Sequence, residues 1–195
     1  MKMLYKFILL LLFSGLAISS PNKLLTEKEL INKELYFDIS KAIENKENCY
    51  KLCLGGQKLT VLNDEICKLN KLQDLNLSQN EFFELPKEFG NLENLTELNL
   101  SGNKLVRLPE TFVKLINLKN LDLSSLQHPD WENIFFTISQ LSNIESLDLS
   151  FNKFPFHLLE RLPSSIRKVY LSDTEIPNEF INNFQKSRTN IEIIK

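Results

Sequence analysis

Apolar side chains recur along this chain at two nested spacings. Leu72, Leu75 and Leu77 are followed by Leu95, Leu98 and Leu100, and then by Leu118, Leu121 and Leu123. The last two members of each trio alternate with polar residues, the period of a half-buried strand. The trios start 23 residues apart, at 72, 95 and 118, and Cys49-Tyr50-Lys51-Leu52-Cys53-Leu54 opens an earlier unit at the same distance. Ile144 starts the next unit after 26 residues, Ile166 another after 22, and a truncated unit closes the series with Ile191 and Ile193 as its strand. Self-similarity at such a period predicts stacked coils, because one short unit cannot bury its own leucines and neighbours must do it.

The units agree beyond their strands. Leu85-Pro86 returns as Leu108-Pro109, Phe89 as Phe112 and Leu92 as Leu115. Phe89, Phe112 and Ile138 are expected to form a second apolar wall behind the strands. The ninth position carries Asn80, Asn103 and Asn152, whose amides can satisfy backbone groups turned away from water. Gln57 and Thr174 stand there as weaker polar substitutes, and Leu126 interrupts the series.

Together these residues resemble the pattern L-x-x-L-x-L-x-x-N-x-L of the leucine-rich repeat family. The tracts starting at Gly56 and Leu85 are similar to the 23-residue repeats of exported bacterial members. The resemblance covers residues 49–195, in units starting near 49, 72, 95, 118, 144 and 166 with a last strand at 191–193. It implies an α/β solenoid, an arc whose concave side is a parallel sheet of about seven short strands.

Open ends of such a stack need covers. Residues 20–48 are expected to be a helical N-terminal cap. Thr26 and Glu29 have the spacing of a capping box, and Leu30, Ile31, Leu35, Ile39, Ala42 and Ile43 make an apolar helical stripe. The longest unit predicts a true convex helix after Asp130, which caps it, with Ile134, Phe135, Ile138 and Leu141 inward and Trp131 as packing. Pro177 is expected to start a further helix carrying Phe180, Ile181 and Phe184.

Residues 1–19 read differently. Lys2 and Lys6 precede an apolar run beginning at Phe7, and Ala17 and Ser19 end it with small residues. This is the layout of a secretory signal, with cleavage expected after Ser19. The run of about twelve residues is shorter than the roughly 20 that a membrane span requires. The mature chain is therefore expected to have no stable membrane span and to be secreted, periplasmic or at the cell surface.

Candidate chemistry is sparse. The two histidines, His128 and His157, lie on different repeats, and two ligands do not make a metal site. No nucleophile is spaced with a base and an orienting group, and no glycine cluster suits a phosphate. An enzyme, a cofactor and a metal centre are not expected. Net charge is −2, so the basic face of a nucleic-acid binder is not expected either. Cys49, Cys53 and Cys67 make an odd count, leaving at least one thiol outside an intrachain disulfide. Strand position should expose Cys53 on the concave face.

The solvent-facing strand positions then remain as the candidate site. In chain order they present Asp74, Asn76, Glu97, Asn99, Asn120, Asp122 and Asp148. Phe151 and Tyr170 on adjacent units supply the aromatic anchors that interfaces favour. The resemblance and this acidic centre imply a protein-interaction module with a basic protein partner, the chain itself being monomeric. The competing reading is an intracellular scaffold similar to Ras-suppressor-like adaptors, from which residues 1–19 would distinguish it.

Overall fold

The computed structural model describes residues 24–195. The signal peptide expected over residues 1–19 lies outside them. Eight short strands form one parallel sheet in strict chain order: β1 (Leu35–Tyr36), β2 (Lys51–Cys53), β3 (Asp74–Asn76), β4 (Glu97–Asn99), β5 (Asn120–Asp122), β6 (Ser146–Asp148), β7 (Lys168–Tyr170) and β8 (Glu192–Ile194). The register follows the repeat, so Leu52, Leu75, Leu98, Leu121, Leu147 and Val169 lie side by side. All six are buried, as are Leu77, Leu100, Leu123 and Leu149 two positions on. Each fully buried aliphatic side chain contributes about 1.5–3 kcal/mol, gained only because the next coil covers it.

The return path of most coils is a single 3-10 segment, Asp64–Lys68, Lys87–Asn91, Glu110–Lys114 or Phe156–Arg161. Pro86, Pro109 and Pro155 each stand immediately before one of these segments, where a missing N–H costs nothing. Phe89 and Phe112 are fully buried and stack with centroids 6.0 Å apart, forming the expected second wall. Gly90 makes this stacking possible: a Cβ there would land on the backbone carbonyl of Thr111.

The long unit carries a true helix, Trp131–Ile138. Asp130 caps it by accepting from the Asn133 amide, and Ile134, Phe135, Ile138 and Leu141 are buried. Trp131 is packing, with its indole N–H donating to the Lys153 carbonyl at 2.8 Å and its ring 5.3 Å from Phe154. In chain order this helix is α3, preceded by α1 (Glu27–Leu30) and α2 (Ile39–Glu44) and followed by α4 (Asn178–Ser187).

The N-terminal cap departs from the expectation. The apolar stripe from Leu30 to Ile43 is not one helical face but two short helices with β1 between them. Tyr36 enters the core beside Leu52, whereas Leu35 and Ile31 remain exposed. Pairing wins over helical periodicity here because β2 would otherwise show a bare sheet edge at the end of the stack. Cap and repeats thus make eight strands rather than about seven. At the far end α4 buries Ile181 and Phe184 as expected, and β8 pairs with β7.

Candidate functional site

The asparagines of the ninth position hold the concave sheet in shape. Asn80 Nδ2 donates to the Leu54 and Leu77 carbonyls, Asn103 Nδ2 to Leu77 and Leu100, and Asn152 Nδ2 to Leu123 and Leu149, all within 2.8–3.0 Å. Thr174 donates to its own unit's Leu171 carbonyl. Gln57 does not take part as expected: its side chain is exposed and donates to the Phe37 carbonyl at 3.1 Å, toward the cap. A second set, unforeseen from the repeat, ties the loops before the strands together. Asn117 Nδ2 donates to the Glu93 carbonyl at 2.8 Å and Asn143 Nδ2 to Ile116 at 2.7 Å.

On this frame the concave side carries a recess of about 320 Å³. Asp74, Asn76, Glu97 and Asn99 line its earlier half, and Asn120, Asp122 and Asp148 its later half. Seven of the nine expected site residues therefore come together. Phe151 and Tyr170 do not line that recess. Phe151 lies beyond its strand, 60% exposed, and Tyr170 is half-buried on β7. Among the described residues their rings are not in stacking contact, so they do not form one aromatic plate.

Several of these side chains are already engaged. Asn76 Oδ1 accepts from the Ser78 amide at 2.9 Å, Asn99 from Ser101 at 2.9 Å, Asp122 from Ser124 at 2.9 Å and Asp148 from Ser150 at 2.8 Å. The fifth position is thus an Asx-type turn that bends the chain off the strand. The turn asks only for an acceptor oxygen, which Asn supplies as well as Asp. The negative charges of Asp122 and Asp148 are surplus to it. Ser101 and Ser150, the donors in two of these turns, are buried.

The charges are placed against one another. Asp74 pairs with Glu97 across β3 and β4, and Asp122 with Asp148 across β5 and β6. Like charges directly opposite destabilise a sheet. Burial pushes the Asp74 carboxyl above its ordinary range, an effect only partly offset by Lys51. Burial likewise raises Glu97, against a hydrogen bond from Asn120 Nδ2 at 2.6 Å that favours its charged form. Among the described residues neither carboxylate forms an ion pair.

Phe151 is unusual in another respect. The eighth position turns with positive φ in every unit from Gly56 (72°) and Gln79 (54°) to Asp173 (53°), and Phe151 adopts φ 59° there. For a bulky residue this conformation is an outlier, and glycine at Gly56 and Gly102 takes it freely.

Sequence reasoning missed the N-terminal wall of the site. Gln73 is 2% exposed because it clasps the backbone of Leu25, accepting from its N–H at 2.8 Å and donating to its carbonyl at 3.1 Å. Residues 24–31 are thereby laid beside β3 and β4. The only advance signal was an amide at the second position of one unit, where the next units carry Thr96 and Lys119. Of the cysteines, Cys49 and Cys67 are buried, with thiols pushed up by burial to about 11 and about 12, while Cys53 is partly exposed on the sheet.

Comparison with known proteins agrees with this architecture. The family model described as a leucine-rich repeat region matches residues 48–179. The chain belongs to the leucine-rich repeat family. Among solved structures, a leucine-rich repeat protein of Leptospira interrogans is similar at 26% identity and TM-score 0.54, covering 83% of this chain and 52% of that one. A structure of a TLR13–ssRNA13 complex matches at 23% identity and TM-score 0.55, covering 83% of this chain and 23% of that one, and shows the fold alone. This chain therefore spans about half and about a quarter of these two leucine-rich repeat chains. No curated protein sequence matches it. No described helix is long and apolar enough to cross a membrane.

Proposed function

We propose that this leucine-rich repeat chain is a non-enzymatic interaction module whose concave sheet holds a basic segment of a protein partner. One observation carries the reading: two like-charged pairs, Asp74 with Glu97 and Asp122 with Asp148, face each other across adjacent strands in one recess. The turns do not need the charges of Asp122 and Asp148, because asparagine performs the same turn at Asn76 and Asn99, and the strand position of Asp74 and Glu97 is filled by the neutral Asn120 and Ser146 in later units. An arrangement that costs stability without serving the fold is accounted for by a cation supplied from outside.

Phe151 and Tyr170 are the apolar anchors in this reading. An exposed phenylalanine held at positive φ gains nothing from the core, so its use lies in what it touches on binding. The reading is tested by recovering partners from the protein's natural environment with the Phe151→Ala/Tyr170→Ala variant. Phe136→Ala on α3, 63% exposed in the parent chain, is the control. Recovery should fall about tenfold or more with the concave variant and hold with the control. Equal recovery from both ends the assignment.

Export belongs to the same proposal. The charged start, apolar run and small-residue end of residues 1–19 support a cleaved signal and a place in the periplasm, at the surface or outside the cell. Mass spectrometry of the natural protein should find Ser20 at its N-terminus, and an intact Met1 on a cytosolic protein would favour an intracellular scaffold instead.

A further inference from the structure

Residues 24–31 and the sheet enclose a groove of about 610 Å³ that adjoins the acidic recess. Leu24, Leu30 and Ile31 form its roof, Asp74 and Glu97 its floor, and Lys51 and Lys119 also line it. The volume lies within the roughly 300–1,000 Å³ of ordinary ligand sites.

The roof is unusual for an end cap. α1 buries no residue, and Ile31 is 75% exposed although it faces a concave wall. The segment is held by main-chain chemistry instead: the Thr26–Glu29 capping box at its start and the Gln73 clasp on Leu25. A strap fixed beside the sheet, with Leu24, Leu30 and Ile31 among the lining of the groove, leaves apolar surface available to another molecule. Beneath it lie Asp74 and Glu97, neither of which forms an ion pair among the described residues, Lys51 and Lys119 acting on them only from beyond ion-pair distance. Glu27 also lines the groove, but among the described residues no three carboxylate, histidine or cysteine side chains are grouped to hold a metal, and an apolar roof is the wrong lining for one. A long cationic side chain matches both surfaces, because its methylene stem can lie on apolar groups while its head reaches charge.

We propose that this groove receives an extended segment of the partner protein in which an arginine or lysine adjoins an apolar residue. The cation lies between Asp74 and Glu97, and the apolar side chain lies against Leu30 and Ile31. This deepens the interaction-module reading and rests on it: the cap, and not the sheet alone, selects the partner by reading charge and apolar surface together.

The test titrates the full chain with an acetylated, amidated peptide, Ala-Leu-Arg-Leu-Ala, followed by backbone amide NMR shifts. Two comparison peptides replace Arg with citrulline, which keeps its shape without the charge, or both Leu with Ala. Each comparison peptide should bind about tenfold more weakly or worse. The Asp74→Asn/Glu97→Gln variant should lose the preference for Arg over citrulline, and Ile31→Ser the preference for Leu over Ala. Gln73→Ala, which frees the strap without altering either carboxylate, should weaken the parent peptide by a similar factor while the amide spectrum of the repeats stays folded. Equal affinity for the Arg and citrulline peptides, or an Arg preference that survives Asp74→Asn/Glu97→Gln, overturns the proposal. The broader reading fails on a separate result, partner recovery indifferent to Phe151→Ala/Tyr170→Ala, so the two failures are told apart.

Discussion

Each carbonyl at the sixth position of a unit has two lone pairs, and in the regular part of the ladder two asparagines fill them. The Leu77 carbonyl accepts from both Asn80 and Asn103. Leu126 removes one member, yet its neighbours cover the loss: Asn103 still reaches the Leu100 carbonyl and Asn152 the Leu123 carbonyl. The ladder tolerates one gap and would not tolerate two in a row. Asn152→Ala would strand the Leu123 and Leu149 carbonyls and the Leu126 N–H, whereas Asn103→Ala would strand one carbonyl, Leu100, and the Phe82 N–H, because Asn80 keeps Leu77. Urea unfolding should therefore show a loss of about 3 kcal/mol for Asn152→Ala against about 2 kcal/mol for Asn103→Ala. Adding Leu126→Asn to Asn152→Ala should recover part of the loss, and two equal losses with no recovery would contradict this sharing. The asparagines and the Leu126 gap were legible in the sequence because they recur at the repeat period. Gln57 was not, since a side chain beside the cap has a partner, Phe37, that no repeat position specifies.

At the scale of elements, legibility tracks how local the deciding interaction is. α3 was readable from its cap and its apolar face, both contained within a dozen residues. The cap was misread because β1 exists to complete the edge of β2, a demand made by the end of the stack and invisible in the stripe from Leu30 to Ile43. Close packing of successive return segments is likewise absent from the repeat consensus, since Gly90 has no glycine at the equivalent place in the next unit, Val113. Gly90→Ala should cost about 1–3 kcal/mol by forcing Lys87–Asn91 away from Glu110–Lys114. Hydrogen exchange should place the weakened protection in those two segments, and a loss spread evenly along the arc would mean the contact is not the cause.

At the scale of the whole molecule, the recess was legible as a list of residues and illegible as an electrostatic object. The repeat alone puts Asp74, Glu97, Asp122 and Asp148 on one face, but the strap that lines the groove with Asp74 and Glu97 depends on Gln73 meeting Leu25, 48 residues away. Desolvation has a measurable sign. Burial raises the Asp74 and Glu97 carboxyls in the folded chain, so the folded state holds those protons more tightly than the unfolded one. Their contribution to stability therefore improves as pH falls through the raised values and is complete below the ordinary carboxylate range. Other carboxylates run the opposite way, as Glu81 does, held low by its hydrogen bond and charge contact with Lys104. The difference between variant and parent isolates the effect. Asp74→Asn should be more stable than the parent near pH 7, by up to about 1 kcal/mol, and the advantage should vanish below about pH 3.5. The same substitution should weaken binding of a basic partner. Stability gained where recognition is lost is the pattern of charge retained for a ligand. If Asp74→Asn instead destabilises the fold at neutral pH, the carboxylate serves the sheet and the argument for an external cation loses its ground.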